Sequence, residues 1–309
     1  MGNDNRKGTL YALITASLWG FMAIILKVIT YDLSPVTVVW FRFFLAFLVL
    51  ATWTLIFRRS DFSVFRRPPV LLFLAALFLA GNYTGFITGI KYVSPSTSQV
   101  FIQIAPVTFA LSGILIFREH VNWKHIVGFI LVLAGIGLFY SEQLRDLPAG
   151  AEHFTMGILL VLGGGLSWAA FATAQKYLLK RIRPNQVNLF IFGACALALL
   201  PLVKFSQLGG MPAVNWYLLI YLGLNTVLAY GSLAIAIKLT EATRVSVIIV
   251  LNPIITFVTM AILSRLQVSW IDPESFSLFS IFGALSVLGG AIVVILAGRK
   301  KNANNPHQG

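Results

Sequence analysis

Long runs without Asp, Glu, Lys or Arg alternate along the chain with short gaps that hold most of the charged residues. About 20 apolar residues cross a bilayer as a helix, and these runs are continuous rather than alternating as barrel strands are, so each run predicts a transmembrane helix. The second run is short, but it extends backward through Arg42 to Pro35. The ten predicted spans are Gly8–Leu26, Phe43–Phe57, Pro68–Ile90, Tyr92–Phe117, Ile126–Ser141, Phe154–Gln175, Pro184–Val203, Phe205–Ile237, Val245–Ser264 and Ser275–Gly298.

The composition favours an all-α polytopic membrane protein embedded in a lipid bilayer. Charged residues make up 11 % of the 309 positions, where a soluble globular chain carries about 25 %. Apolar residues make up 58 %, against about 45–50 % in soluble chains. These values exclude a soluble enzyme, a secreted disulfide scaffold and a disordered chain. The one cysteine, Cys195, rules out an intrachain disulfide.

A signal peptide is the alternative interpretation of the first run, which follows Arg6 and Lys7. The run is too long for the hydrophobic region of a typical signal peptide, and no small-residue cleavage site follows it. We therefore interpret it as the first transmembrane helix.

The net charge of +13 raises the possibility of a nucleic-acid partner, but the basic residues follow the pattern of a membrane protein instead. They concentrate in the gaps that are cytoplasmic if the N-terminus is inside, whereas the outer loops hold only Arg145, Lys204 and Arg265. We expect no nucleic-acid partner, a place in the cell (plasma or inner) membrane, and both termini in the cytoplasm. The inner segments hold 16 of the 23 basic residues: Arg6, Lys7, Arg58, Arg59, Arg66, Arg67, Arg118, Lys124, Lys180, Arg181, Arg183, Lys238, Arg244, Arg299, Lys300 and Lys301.

The chain repeats itself with an offset of 147 to 149 residues, and of 155 beyond an eight-residue insertion, which divides it into halves at 1–150 and 151–309. Each half holds five predicted helices. Because five is odd, the second half starts on the opposite side of the membrane, and the halves are predicted to be inverted repeats with a substrate site between them near the midplane. Matching pairs include Trp19 with Trp168, Lys27 with Lys176, Pro35 with Pro184, Tyr83 with Tyr230, Lys91 with Lys238 and Pro106 with Pro253.

The order of several short motifs resembles the EamA family of the drug/metabolite transporter superfamily. The motifs are Leu18-Trp19-Gly20, Arg42-Phe43, Tyr92-Val93-Ser94, Pro106, Glu119, and Gly128 through Gly135-Ile136-Gly137. The second half departs from this pattern, since Arg42 corresponds to Ile191 and Glu119 to Leu266. The resemblance covers nearly the whole chain and implies an exporter of amino acids or other small metabolites.

Pro106 and Pro253 lie near the middle of the fourth and ninth spans. Proline donates no main-chain hydrogen bond, so each frees the carbonyl four residues earlier, on Ile102 and Ile249, and favours a kink. A packing kink satisfied by a neighbouring helix is one interpretation. The symmetric placement favours the other, in which both prolines take part in gating.

Several polar or aromatic residues lie inside the predicted spans, where contact with lipid is costly and an inward orientation is expected. Trp19 lies roughly 16 Å along the first helix, near the midplane, and Gln99 and Gln103 share one helix face. Interhelical hydrogen bonds and packing are the alternatives to pocket lining, and snorkelling is the alternative for Arg42. The substrate-binding candidates are Trp19, Arg42, Asn82, Tyr83, Gln99, Gln103, Trp168, Gln175 and Tyr230.

A secondary transporter is the leading functional hypothesis, with alternating access between the two repeats. A membrane-embedded enzyme is the main alternative, but no helix carries a catalytic set, no P-loop is present, and the histidines form no metal-ligand set. A non-transporting membrane assembly protein is the third alternative, against which the inverted repeat weighs. We expect no catalytic residues, no cofactor and no metal.

All ten acidic residues fall in tails, loops or helix ends. A carboxylate inside a span is the usual device for binding an organic cation or relaying a proton. We therefore expect a neutral, zwitterionic or anionic small-molecule solute, and no obligatory proton exchange through a membrane carboxylate. Glu119 or Glu241 remains available at the inner mouth.

Overall fold

A computed structural model of the chain describes residues 2–116, 123–145, 151–240, 245, 248–274 and 276–297. Every regular element within these ranges is helical. The α-helices are α1 (Gly2–Asp32), α2 (Pro35–Phe57), α3 (Val70–Tyr92), α4 (Pro95–Phe101), α5 (Ile104–Leu115), α6 (Trp123–Arg145), α7 (Ala151–Leu178), α8 (Pro184–Leu199), α9 (Ala213–Leu239), α10 (Asn252–Arg265) and α11 (Leu278–Ala297). Short 3-10 turns occupy Arg59–Phe65, Leu200–Leu202 and Phe205–Gln207.

Six helices are long and apolar enough to cross a membrane, and they coincide with the first, second, third, sixth, seventh and eighth predicted spans. They are Asp4–Asp32, Pro35–Phe57, Val70–Tyr92, Glu152–Leu178, Pro184–Leu202 and Ala213–Leu239. The fifth and tenth predicted spans hold shorter apolar helices, at Ile126–Ser141 and Leu278–Val293. Helix α9 begins later than its apolar run, because Gly210 adopts a φ of 82° and Pro212 precedes the first helical turn.

The fourth predicted span, Tyr92–Phe117, is not a single helix. It is divided into α4 and α5 by a turn at Ile102 and Gln103. Both turn residues keep helical φ and ψ values, and the interruption falls at the Ile102 carbonyl that Pro106 is predicted to free. The Ala105 amide donates to that carbonyl over 2.8 Å. In the ninth predicted span, α10 begins at Asn252 after a similar turn, and most of residues 241–247 lie outside the described ranges.

Serine–proline pairs set the starts of two helices. Ser34 precedes Pro35 at the start of α2, and Ser94 precedes Pro95 at the start of α4. The serine side chain accepts a hydrogen bond from the main-chain N–H three residues later in each case. Proline is favoured at the first helical position because its missing N–H would have no partner there.

Close packing of glycines joins α3 to α7. A Cβ atom at Gly85 would lie 2.9 Å from the Leu160 carbonyl, and one at Gly89 would lie 2.8 Å from the Gly157 carbonyl. The backbones of α3 and α7 therefore approach each other closely. Extensive contacts also join α1 to α9 and α6 to α11, and the buried core lies between these helix pairs.

Large apolar side chains are exposed on the outward faces of the helices. Val70 is 74 % exposed, Leu133 is 63 % exposed and Phe282 is 62 % exposed. Soluble monomers rarely expose contiguous apolar surface on this scale, so this surface suits lipid rather than water.

One carboxylate in an interhelical connection is fully buried. Asp61, in the 3-10 turn after α2, forms an ion pair with Arg183 at the start of α8. Gln186 of α8 donates to the Ser63 hydroxyl over 3.2 Å. These contacts fix the α2–α3 connection against the second half of the chain.

Candidate functional site

Eight of the described helices surround one cavity at the centre of the bundle. Its lining includes most of the predicted substrate-binding residues, and it also includes Pro106. The lining residues are Trp19, Met22, Arg42, Asn82, Tyr83, Phe86, Ile87, Gln99, Ile102, Gln103, Ala105, Pro106, Trp168, Tyr230, Ile249 and Asn252. Residues from before and after position 150 therefore meet at the same cavity.

Two predicted residues do not line the cavity. Gln175 is fully buried, and its side-chain amide donates to Asn188, which in turn donates to the Tyr230 carbonyl. It therefore supports a wall residue from behind. Pro253 follows Asn252 in the first turn of α10, one residue away from the lining.

Aromatic rings form one wall of the cavity. The ring centroids of Trp19 and Trp168 lie 5.9 Å apart in an edge-on arrangement, and those of Trp19 and Tyr230 lie 5.4 Å apart. The Tyr83 ring lies 5.8 Å from that of Tyr230. Offset and edge-on pairs of this kind are the favoured geometries for aromatic rings. The residues that correspond in the sequence repeat thus meet as a mixed aromatic cluster.

Arg42 points into the interior rather than snorkelling to a surface, and its side chain is only 1 % exposed. Its Nε donates to Thr226 over 3.1 Å, and Nη2 lies 2.9 Å from the Met22 sulfur and 3.3 Å from the Tyr83 hydroxyl. The guanidinium carbon also lies 4.5 Å from the centre of the Tyr83 ring. Within the described ranges, no carboxylate pairs with Arg42 and no protein atom accepts from Nη1. Arg42 is thus a buried cation held by neutral groups.

The two turns that interrupt the helices meet beside the cavity. The Gln103 side-chain amide donates to the Gln99 carbonyl over 3.1 Å and to the Asn252 side-chain oxygen over 3.3 Å. Gln103 ends the turn between α4 and α5, and Asn252 is the first residue of α10. A direct polar contact therefore couples the broken fourth span to the start of α10.

Two buried acceptors at the cavity have no hydrogen-bond partner among the described residues. They are the side-chain oxygens of Gln99 and Gln103. The Gln99 amide donates weakly to the Trp19 carbonyl, at 3.4 Å, so only the oxygen of this side chain is left without a donor. A buried acceptor without a partner costs about 1–3 kcal/mol, and a bound water or ligand donor would remove that cost.

The cavity is small in this conformation, with a free volume of about 60 Å³. At about 10–15 Å³ for each water centre, it has room for a few water molecules. A larger solute requires the surrounding helices to move apart. The part of the chain that the structure describes holds no group of three His, Cys, Asp or Glu residues placed to bind a metal ion.

Sequence reasoning missed several lining residues. Met22, Phe86, Ile87 and Ile249 are apolar, so nothing in the sequence separates them from ordinary core residues. Asn252 carried a usable signal, because it is an amide next to the symmetric Pro253 within an apolar run.

Comparisons with known proteins agree on one family. The profile described as the EamA-like transporter family matches residues 6–141 and 155–296. The chain is 31 % identical to an uncharacterized transporter of Haemophilus influenzae over 288 residues, covering 93 % of this chain and 94 % of that protein. It is also 31 % identical to the uncharacterized inner membrane transporter YhbE of Escherichia coli K12, covering 92 % and 90 % of the two chains. A protein of known crystal structure matches with a TM-score of 0.65 at 17 % identity, over 96 % of this chain and 99 % of that one, which indicates a shared fold.

Proposed function

The chain belongs to the EamA-like transporter family, and from this premise we propose that it is a secondary exporter of amino acids or other small metabolites. It is a multi-pass membrane transporter whose relatives are named as transporters. The observation that carries the proposal is the central cavity, which is lined from both halves of the chain and contains a buried cation beside two helix breaks. Cavities of this kind occur near the midplane of transporters with broken helices.

We further propose the membrane arrangement of ten spans in two inverted repeats, 1–150 and 151–309, with both termini in the cytoplasm. The fourth and ninth spans are the discontinuous ones. The matched breaks before Pro106 and Pro253 support this arrangement, and so does the excess of basic residues in the inner segments. Alternating access then consists of movement of one half against the other around the cavity.

The solute that best fits the cavity carries a negative group. Arg42 is buried, and among the described residues it has no carboxylate partner and its Nη1 has no acceptor. A buried charge is expensive unless it is paired, and a solute carboxylate would supply the pair. The free oxygens of Gln99 and Gln103 would accept from an ammonium or hydroxyl group of the same molecule. A zwitterion satisfies both ends, and an anion or a neutral solute satisfies one.

The remaining substrate-binding candidates surround the proposed contact between the solute and Arg42. Trp19, Trp168, Tyr83 and Tyr230 form the apolar wall against which a solute side chain packs. Asn82 donates to the Gly164 carbonyl over 2.9 Å, so it holds α7 beside the cavity. Gln175 supports α8 and α9 from behind the aromatic wall.

Purified protein in liposomes tests the proposal with solutes that match in size and differ in charge. Leucine, leucinamide and 4-methylpentanoate form one such set, and protein-free liposomes correct for leak. We expect protein-dependent flux of zwitterions or anions across a panel of these sets. Flux of cations alone, or no protein-dependent flux of any solute in the panel, would contradict it.

A further inference from the structure

A lysine joins α1 to the end of α3 at the side of the bundle that we propose faces the outside. The Lys27 ammonium donates to the main-chain carbonyls of Ile90, Lys91 and Val93, over 3.2, 3.1 and 3.1 Å. The last carbonyls of a helix have no partner within the helix and attract cations. Lys27 therefore closes the end of α3 with a side chain from α1.

The connection between α10 and α11 folds back onto the same place. The Glu274 carboxylate accepts from the Ser96 main-chain N–H, in the first turn of α4, over 3.2 Å. The Glu274 main-chain N–H donates to the Ser264 hydroxyl over 2.9 Å, and Tyr31 of α1 donates to Asp272 over 2.9 Å. The loop from the second half is thus attached to α1 and α4 of the first half.

These contacts lie between the cavity and that end of the bundle. Lys27 is eight residues beyond Trp19 on α1, about 12 Å further along the helix axis. Helix α4 carries both Ser96, at the Glu274 contact, and Gln99, at the cavity, and residues 96–98 are buried. A path that leaves the cavity between α1, α3 and α4 would separate the groups that Lys27 and Glu274 contact.

We propose that Lys27 and Glu274 form the outer gate of the transport path, and that a proton bound by Glu274 holds this gate closed. The proposal rests on the proposed function and orientation, but the gate is measurable without a transported solute. It differs from proton relay through a carboxylate inside a span, because Glu274 belongs to a connection between helices.

The charged surroundings of Glu274 are few. Lys27 faces it from α1, and Asp272 of the same loop shares the attraction to Lys27. Helix α3 contributes Lys91, whose side chain is exposed, and α10 contributes Arg265, which is also exposed. The α4 contacts are the neutral groups of Ser94 and Ser96. Lys27 is therefore the cation that matters most for the Glu274 charge.

Burial raises the pKa of the Glu274 carboxyl above its ordinary value, by more than the Ser96 and Ser94 contacts and Lys27 lower it. When the gate opens, water reaches the carboxyl and its pKa returns toward the ordinary value. The closed gate thus binds the proton more tightly than the open gate, and acid outside stabilises closure. The closing equilibrium shifts about tenfold for each unit by which the two pKa values differ.

Cysteine labelling from outside tests the gate in intact cells. Ala105 lines the cavity and is 3 % exposed, so Ala105→Cys in a Cys195→Ala background reacts with an impermeant cationic methanethiosulfonate only when a path opens. Gly209→Cys lies on an exposed outer connection, and its labelling rate at each pH corrects for thiol ionisation. We expect the corrected Ala105→Cys rate to fall several-fold from about pH 8 to about pH 5 outside.

Substitutions identify the groups responsible. Glu274→Gln copies the protonated carboxyl and keeps an oxygen for the Ser96 N–H, so it should give slow labelling that no longer changes with pH. Lys27→Gln should speed labelling several-fold, Lys27→Arg should restore the slow rate, and the matched control Lys91→Gln should behave as the parent.

Several results would overturn the gate. They are labelling that rises in acid, an unchanged pH profile in Glu274→Gln, or equal rates in Lys27→Gln and Lys91→Gln. Outside labelling of Ser60→Cys instead of Gly209→Cys would place these groups at the cytoplasmic face. If labelling follows the expected pattern but no solute flux is found, the gate stands and the proposed function fails. If solute flux is found but the Lys27 and Glu274 substitutions leave labelling unchanged, the proposed function stands and the gate fails.

Discussion

Arg42 is the residue with the sharpest conflict between burial and charge. Its guanidinium is held by Thr226, Tyr83 and the Met22 sulfur, which are all neutral. A buried charge is costly unless an opposite charge pairs with it, and neutral groups compensate that cost only in part. An unfavourable group kept beside a cavity is best explained by a task at that cavity.

Arg42→Gln should therefore separate transport from stability. We expect flux of a carboxylate-bearing solute to fall about 10- to 100-fold, because a hydrogen bond to a charged group contributes about 1.5–3 kcal/mol. The midpoint of thermal unfolding in detergent, without solute, should stay the same or rise. Arg265→Gln, at an exposed position, serves as the control for charge alone. Unchanged flux in Arg42→Gln would remove Arg42 from the site.

The sequence was informative about individual residues only where they were polar or matched in the repeat. Trp19, Trp168, Tyr83 and Tyr230 stood out as repeat pairs, and all four line the cavity. Gln175 looked equivalent but packs behind the wall, because side-chain direction depends on helix rotation. The partial burial of Glu274 was not predictable, since a loop charge is solvated unless the loop folds back onto the helices.

At the scale of helices, the contact between α3 and α7 depends on glycine. A Cβ atom at Gly85 would meet main-chain atoms of Leu160 and Gly164 at 2.9 to 3.2 Å, and main-chain atoms cannot move aside without moving the helix. Gly163, one position before Gly164 on α7, has nothing within 4 Å of its Cβ position. Gly85 and Gly163 thus form a matched pair for substitution.

Gly85→Ala should lower the thermal unfolding midpoint in detergent, with a cost of about 1–3 kcal/mol from overpacking. Gly163→Ala should leave it unchanged or raise it, because alanine favours the helix and meets no neighbour. Size-exclusion profiles after heating measure both variants. Equal behaviour of the two would show that α3 and α7 do not meet as closely as described.

The broken span is the element that hydropathy alone failed to predict. The run Tyr92–Phe117 is one continuous charge-free stretch. Its summed hydropathy is the same whether it forms one helix or two. Pro106 marked the region, and the interruption lies four and three residues before it, at Ile102 and Gln103, where Asn252 from α10 also meets the Gln103 amide. The proline thus indicated where the helix is interrupted, but nothing in the sequence indicated the contact with Asn252.

Pro106→Ala and Pro253→Ala should each change turnover more than stability. Alanine restores an N–H that can donate to the carbonyl four residues earlier, which favours joining α4 to α5 in the first case. Joining the two would move Gln103 relative to Asn252. We expect solute flux to fall several-fold while the unfolding midpoint shifts by only a few degrees. A large loss of stability with normal flux per folded molecule would assign the prolines a purely structural role.

At the scale of the whole molecule, the most extensive helix–helix contacts among the described residues join the two halves of the chain. Helix α3 packs on α7, α1 packs on α9, and α6 packs on α11, so each of these pairs joins residues from before and after position 150. The cavity lies where the halves meet. A transporter needs such an interface, because movement of one half against the other must open the site to each side in turn.

The proposed orientation predicts opposite labelling of two exposed connections. Ser60 follows α2 and Gly209 precedes α9, and both residues are exposed. The two connections occupy corresponding positions in the two halves, so they would face opposite sides of the membrane if the repeats are inverted. In a Cys195→Ala background, which removes the one buried native thiol, an impermeant maleimide added to intact cells should label Gly209→Cys and leave Ser60→Cys unlabelled. Permeabilised cells should show both labelled, which controls for expression. Labelling of both cysteines from outside would place the two connections on one side of the membrane and contradict the inverted repeat. Labelling of Ser60→Cys alone would reverse the orientation that we infer from the basic residues.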